Sequence, residues 1–176
     1  MTQNPGTYPS AGQGFGAPAT AAPSAGGLVG SAAIQGLGGV IAIVGVFLSW
    51  LTITVQGVTV TVNGFGSVSG GAGDAESPFT GSSHGIRALI FGIIVLVGAI
   101  VVIATKKAPT SALGLVGGAL LVVFGLIDFF DIKGEIDSAP SSIEASVGIG
   151  LWLVIIGGAI GLIGALIGLV AGRRKV

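Results

Sequence analysis

The chain has 176 residues, of which 51% are hydrophobic and 8% charged, with a mean hydropathy of +0.99. So little polar surface cannot coat a soluble globule, and the bilayer has to serve as the solvent. The seven basic and seven acidic residues cancel, which leaves no basic excess for nucleic acid, and the absence of cysteine excludes a disulfide, a thiolate metal site and a thiol nucleophile.

Residues 1–27 carry Pro5, Pro9, Pro18 and Pro23 in a Gly/Ala/Ser/Thr/Gln-rich background without a charged side chain. With almost nothing to bury against its chain entropy, this tail is expected to stay disordered on the cytoplasmic side, as a solvated leader or a proline-rich docking tail. No basic segment precedes the first apolar run and no A-x-A site follows it, unlike a secretory signal peptide.

Residues 28–50 are the first expected span, long enough at ~1.5 Å per residue for a ~30 Å hydrocarbon core. Its one strongly polar member, Gln35, is expected to hydrogen-bond a neighbouring helix rather than line a pathway. Trp50 closes the span as an interfacial aromatic, and Trp152 does the same near the start of the last span.

Residues 51–84 form the first extracytoplasmic loop, opening with a β-hairpin over 51–64. Folding LTITVQGVTVTVNG about Gln56 and Gly57 pairs Val55 with Val58, Thr54 with Thr59, Ile53 with Val60, Thr52 with Thr61 and Leu51 with Val62. Alternation puts Leu, Ile and Val on one face and Thr on the other, so one register is favoured. A two-stranded hairpin is marginal in water, and its apolar face needs a cover. Three covers are open: the outer helix ends with Phe79 and Ile86, the headgroup region beside Trp50, or a partner. Ile53, Val55, Val58, Val60 and Thr59 are the candidate partner surface.

Phe65 to Ser83 is a Gly/Ser loop carrying Asp74, Glu76, Pro78 and Phe79, ending in a helix N-cap at Ser82 or Ser83. His84, the single histidine, cannot build a metal cage alone and is expected to be exposed. The second span covers 85–105, with Arg87 near its outer end snorkelling to the interface. After Lys106 and Lys107, Pro109 suits the first turn of a third span over 110–130, antiparallel to the second. Asp128, Asp131 and Glu135 recur at helical spacing on one face, as a solvated acidic rim or a divalent-cation site, with a pairing of Arg87 to Asp128 or Asp131 between these readings. Residues 131–146 read as an extracytoplasmic acidic loop.

The fourth span, 147–171, has neither charge nor proline, and a basic end over 172–176 follows with Arg173, Arg174 and Lys175 as interface anchors. Gly157, Gly161, Gly164, Gly168 and Gly172 fall in a stripe along one face, where small residues let helix backbones approach. None of the seven prolines lies inside a span, against the broken helices of ion-coupled transporters. Lys106, Lys107, Arg173, Arg174 and Lys175 share one side of a four-span layout, which by the positive-inside tendency makes both termini cytoplasmic in a plasma membrane.

The fold class expected is an all-α membrane protein, a four-helix transmembrane bundle with a small extracytoplasmic β-hairpin. The neutral Pro/Gly-rich tail, the first span running into WLTITVQGVTVTVNG and three more glycine-rich spans resemble the small, mostly uncharacterised four-span membrane proteins of actinobacteria, a resemblance that implies no activity. The order of span, β segment and three spans is similar in outline to claudin-like proteins, but Trp50 stands alone and their loop cysteine pair is absent. No junction function is carried over.

Without clustered nucleophile, acid/base or metal ligands the chain reads as no enzyme, with no catalytic, cofactor or metal site. The expected role is a non-catalytic accessory or interaction subunit of a membrane or envelope complex, its partners lipid and either another membrane protein or copies of itself. The alternative is a small transporter or oligomeric pore component.

Overall fold

The computed structural model describes residues 25–71 and 84–173. Most of the proline-rich tail, the loop segment with Asp74, Glu76, Pro78, Phe79 and the N-cap serines, and Arg174 and Lys175 lie outside the described residues. Among the described residues four helices are long and apolar enough to cross a membrane: α1 (Ala25–Phe47), α2 (His84–Thr105), α3 (Ser111–Ser138) and α4 (Ile149–Arg173). Between α1 and α2 run β1 (Ser49–Val55), β2 (Val58–Asn63) and β3 (Val68–Ser69), and β4 (Ile143–Val147) lies between α3 and α4. The chain is therefore a multi-pass, four-helix bundle carrying a small antiparallel sheet at one end.

Several boundaries differ from the sequence reading. Helix α1 starts at Ala25, within the segment read as tail. At 28 residues, α3 is about 42 Å long, well beyond a ~30 Å core. The segment after Phe130, read as the start of an acidic loop over 131–146, stays helical to Ser138. Lys133 Nζ reaches both Asp137 oxygens at 3.1 Å one turn on, and the Ser138 hydroxyl donates to Gly134 O at 2.7 Å. Such local bonds support a helix in water despite the roughly 1 kcal/mol that a glycine costs. Val147 belongs to β4, so α4 begins two residues later than the span read from hydropathy.

The bundle interior is closed by backbone contact. A Cβ added at Gly157 would stand 2.6 Å from both Ala42 N and Gly38 O on α1, and one at Gly164 would stand 2.5 Å from Gln35 N. At Gly161 it would meet Val95 Cγ1 of α2 at 2.9 Å, at Gly168 the Ser111 hydroxyl at 2.6 Å, and at Gly172 it would collide with Ala108. Helix α1 answers with its own small stripe, Ser31, Gln35, Gly38, Ala42 and Gly45, stepped by four and three like a heptad seam. The partner of the α4 stripe is thus in the same chain. Ile149, Ile156, Ile163 and Val170 repeat on the opposite, exposed face of α4, as befits a surface solvated by lipid. Gln35 is fully buried in the seam and its Nε2 donates to Val95 O at 2.9 Å, bridging α1 to α2.

The hairpin register is the one the sequence predicts, from Val55↔Val58 to Leu51↔Val62. Its turn residues Gln56 (φ 50°) and Gly57 (φ 80°) are both left-handed, the pattern of a type I′ turn, whose twist suits a hairpin. The hairpin is not alone. The strand order is β3-β2-β1-β4, with β4 pairing Leu51↔Val147, Ile53↔Ala145 and Val55↔Ile143. The alternation Ile143-Glu144-Ala145-Ser146-Val147 extends both faces of the hairpin, aliphatic residues beside aliphatic and hydroxyl or acidic residues beside threonine. Glu, Ala and Ser are weak strand formers, so pairing with β1 rather than local preference makes this segment a strand.

Backbone bonds seat the sheet on the helix ends. Gly64 N donates to Val46 O at 3.1 Å and Gly64 O accepts from Gly85 N at 2.9 Å, so one glycine occupies an orphan carbonyl of α1 and an orphan amide of α2. Gly148 N donates to Trp50 O at 2.7 Å. The register shifts between Ser49 and Leu51, a bulge that lets Trp50 and Leu51, adjacent in sequence, both turn inward.

Candidate functional site

That bulge overturns one expectation. Trp50 is 4% exposed and belongs to the core cluster with Val46, Ala88 and Leu151 rather than to an interfacial belt. Its indole Nε1 donates to Gly45 O at 3.0 Å, capping another α1 carbonyl, and the ring lies so close to Gly64 that a Cβ there would be 2.8 Å from Cε2. Trp152 stays on the outer surface of the bundle, 5.1 Å from the Phe129 ring.

Above Trp50 the sheet and α3 diverge and leave a cleft of about 310 Å³. One wall is the base of the sheet, Leu51, Val62 and Asn63, with Gly64 beside it. The other is the face of α3 that carries Asp128, Asp131, Ile132 and Glu135, and His84 at the start of α2 closes the bottom. The steps of three, one and three put the α3 residues on one helical face. Asn63 holds the rim, its Oδ1 accepting from Phe65 N at 3.0 Å and from Ser67 N at 2.9 Å.

The three α3 carboxylates do not behave as one rim. Asp128 is 3% exposed and bonds His84 Nδ1, while Arg87 Nη2 lies 3.7 Å from the same oxygen. Arg87 Nη2 also lies 3.0 Å from His84 Nδ1, so the three side chains form one cluster in which the carboxylate accepts, the guanidinium donates and the role of Nδ1 follows from the tautomer of His84. The guanidinium also sits 5.4 Å from the centre of the Phe124 ring, which in turn stacks on Phe91. His84 is therefore half-buried and partnered rather than exposed, and Arg87 faces α3 rather than snorkelling away. Antiparallel packing explains the meeting. Counting back along α2 and forward along α3 from the turn at Lys106 brings Arg87 and Asp128 to the same depth.

Asp131 and Glu135 are exposed along the cleft and take part in no ion pair among the described residues, whereas Lys133 on another face is occupied by Asp137. With Asp128 turned inward to His84 and Arg87, no group of three acidic or histidine side chains among the described residues is placed to hold a metal ion.

The aliphatic face of the sheet changes character along its length. Leu51 and Val62 at the base are 5% and 6% exposed, Ile53 and Val60 are half-buried, and Val55 and Val58 at the tip are 41% and 48% exposed. Ile86, read as a cover for this face, is itself exposed, and Phe79 lies outside the described residues. Thr59 is exposed on the hydroxyl face, its Oγ1 3.0 Å from Thr54 Oγ1. No protein-family model matches the chain, and none of the curated proteins compared with it does either.

Proposed function

We propose that the chain is a non-catalytic accessory or interaction subunit of a membrane or cell-envelope complex, with both termini cytoplasmic and the sheet outside the plasma membrane. The observation that carries this reading is the aliphatic tip of the sheet. Val55 and Val58 stay exposed on a sheet that is otherwise seated firmly on the helix ends, and a rigid apolar strip beyond the lipid-facing helices suits a protein partner. The orientation rests on the basic residues of the sequence, with Lys106, Lys107, Arg173, Arg174 and Lys175 at one end of the four-span layout and Arg87 and Lys133 alone at the other.

The closed α1–α4 seam offers little to the alternative of a transporter or pore, for which the fully buried Gln35 would have to face a path. Photo-crosslinking in cells tests the choice. A photoreactive residue at Val58 should give a discrete adduct of higher mass, and one at lipid-facing Val170 should not. Absence of the Val58 adduct, together with ion conduction by the purified protein in planar bilayers, would replace the subunit reading by the pore.

A further inference from the structure

We infer that the cleft between the sheet and α3 receives a basic side chain, arginine above all, carried by the protein partner that covers the tip of the sheet. The inference rests on the subunit reading and names the chemistry of its partner. It begins with charge. Asp128 is matched by His84 and Arg87, and Asp137 by Lys133, but Asp131 and Glu135 stand one helical turn apart beside the cleft with no cation of their own among the described residues. An anion would be repelled there. A neutral apolar group would hold two carboxylates against a surface from which it excludes water, which is costly unless they are paired.

A long-stemmed cation meets both demands. Its methylene stem can lie along Leu51, Val62 and Ile132 while its head reaches the carboxylates. Arginine suits the pair better than lysine, because its planar fork offers donors to two acceptors at once, whereas an ammonium is a point charge. Continuity with the tip of the sheet identifies the carrier. Leu51 and Val62 in the cleft, Ile53 and Val60 above them and Val55 and Val58 at the tip lie on one aliphatic face, so a polypeptide segment can fill the cleft and cover the strip. A free amine would fill only the cleft.

The chain has two tryptophans, so Trp152→Phe leaves Trp50 as the sole indole, lining the cleft. In phosphatidylcholine nanodiscs, a short Val/Thr peptide with one central arginine should change Trp50 emission saturably. The citrulline counterpart, which keeps the shape and loses the charge, should bind at least about tenfold more weakly. Asp131→Asn with Glu135→Gln should cause a similar loss at unchanged melting temperature, and Glu144→Gln, on the hydroxyl face, should cause none. Equal binding of the citrulline peptide, full binding to the Asp131/Glu135 variant, n-butylguanidinium binding as tightly as the peptide, or no saturable response to any probe would each overturn the inference. In any of these cases a Val58 crosslink would still stand, so the two proposals fail separately.

Discussion

The α1–α4 seam and the sheet end solve opposite problems with the same chain. In the seam, glycine faces glycine and no Cβ fits at Gly38, Gly157 or Gly164. Lipid supplies no hydrophobic drive for helices to associate, so close backbone approach and a few polar bridges such as Gln35 have to hold them. At the sheet end the elements separate, α3 runs on past the base of the sheet, and side chains rather than backbone line the gap. Backbone contact is concentrated where the helices touch, and surface lined by side chains where they diverge.

The sharpest way to break that contrast is to put bulk into the seam. Gly164→Leu would drive a side chain into the backbone of Gln35, a clash that neither helix can relieve without separating. A loss of about 3 kcal/mol or outright failure to fold is expected, read as the melting temperature of detergent-extracted protein. Ile163→Leu, one residue along on the exposed face, should change stability by less than about 0.5 kcal/mol. Equal tolerance at the two positions would show that the seam is not what holds the bundle.

A smaller effect is expected where the two regions meet. Asp128→Ala leaves Arg87 and His84 at the bundle rim without their shared acceptor. Loss of one partner from a buried ion pair costs several kcal/mol, but both partners here are about one-third exposed, and water will screen part of the loss. About 2 kcal/mol is the expected destabilisation, and Asp131→Ala, whose carboxylate has no ion-pair partner among the described residues, should be nearly silent in the same melt. If the two variants melted alike, the buried cluster would carry no structural weight.

What could be read in advance follows the range of the interactions involved. Spans, hairpin register and the glycine stripe rest on periodicity over a few residues, and the strand pairs from Val55↔Val58 to Leu51↔Val62 are where alternation puts them. The cleft was invisible because each of its parts depends on a distant partner. Residues 143–147 become a strand through β1, Trp50 turns inward through a bulge opposite the end of β2, and Asp128 leaves the acidic rim through His84 on another helix. One part was open to reading, since a pairing of Arg87 with Asp128 or Asp131 follows from the antiparallel layout and Asp128 is the partner found, and the aliphatic alternation of 143–147 was a second signal.

The least perturbing change sharpens the comparison most, because it separates fold from recognition within one face of one sheet. Val62 and Val58 share the aliphatic face of β2, four residues apart, yet Val62 is 6% exposed over the cleft and Val58 is 48% exposed at the tip. Val62→Asp places a carboxylate between Trp50 and the acidic face of α3, where it lacks a cation and meets like charge. Its cost should exceed about 2 kcal/mol. Val58→Asp enters water at the edge of a turn and should leave the melting temperature within the scatter of the parent, since an exposed site away from caps and cores seldom moves stability beyond about 0.5 kcal/mol. If the tip is a docking strip, that silent variant should nonetheless lose the crosslinked adduct when the photoreactive residue is moved to Val55. Retention of the adduct at parental yield would leave the exposed tip without a role in binding. A melting temperature that fell as far for Val58→Asp as for Val62→Asp would mean that the whole sheet, tip included, belongs to the folded core.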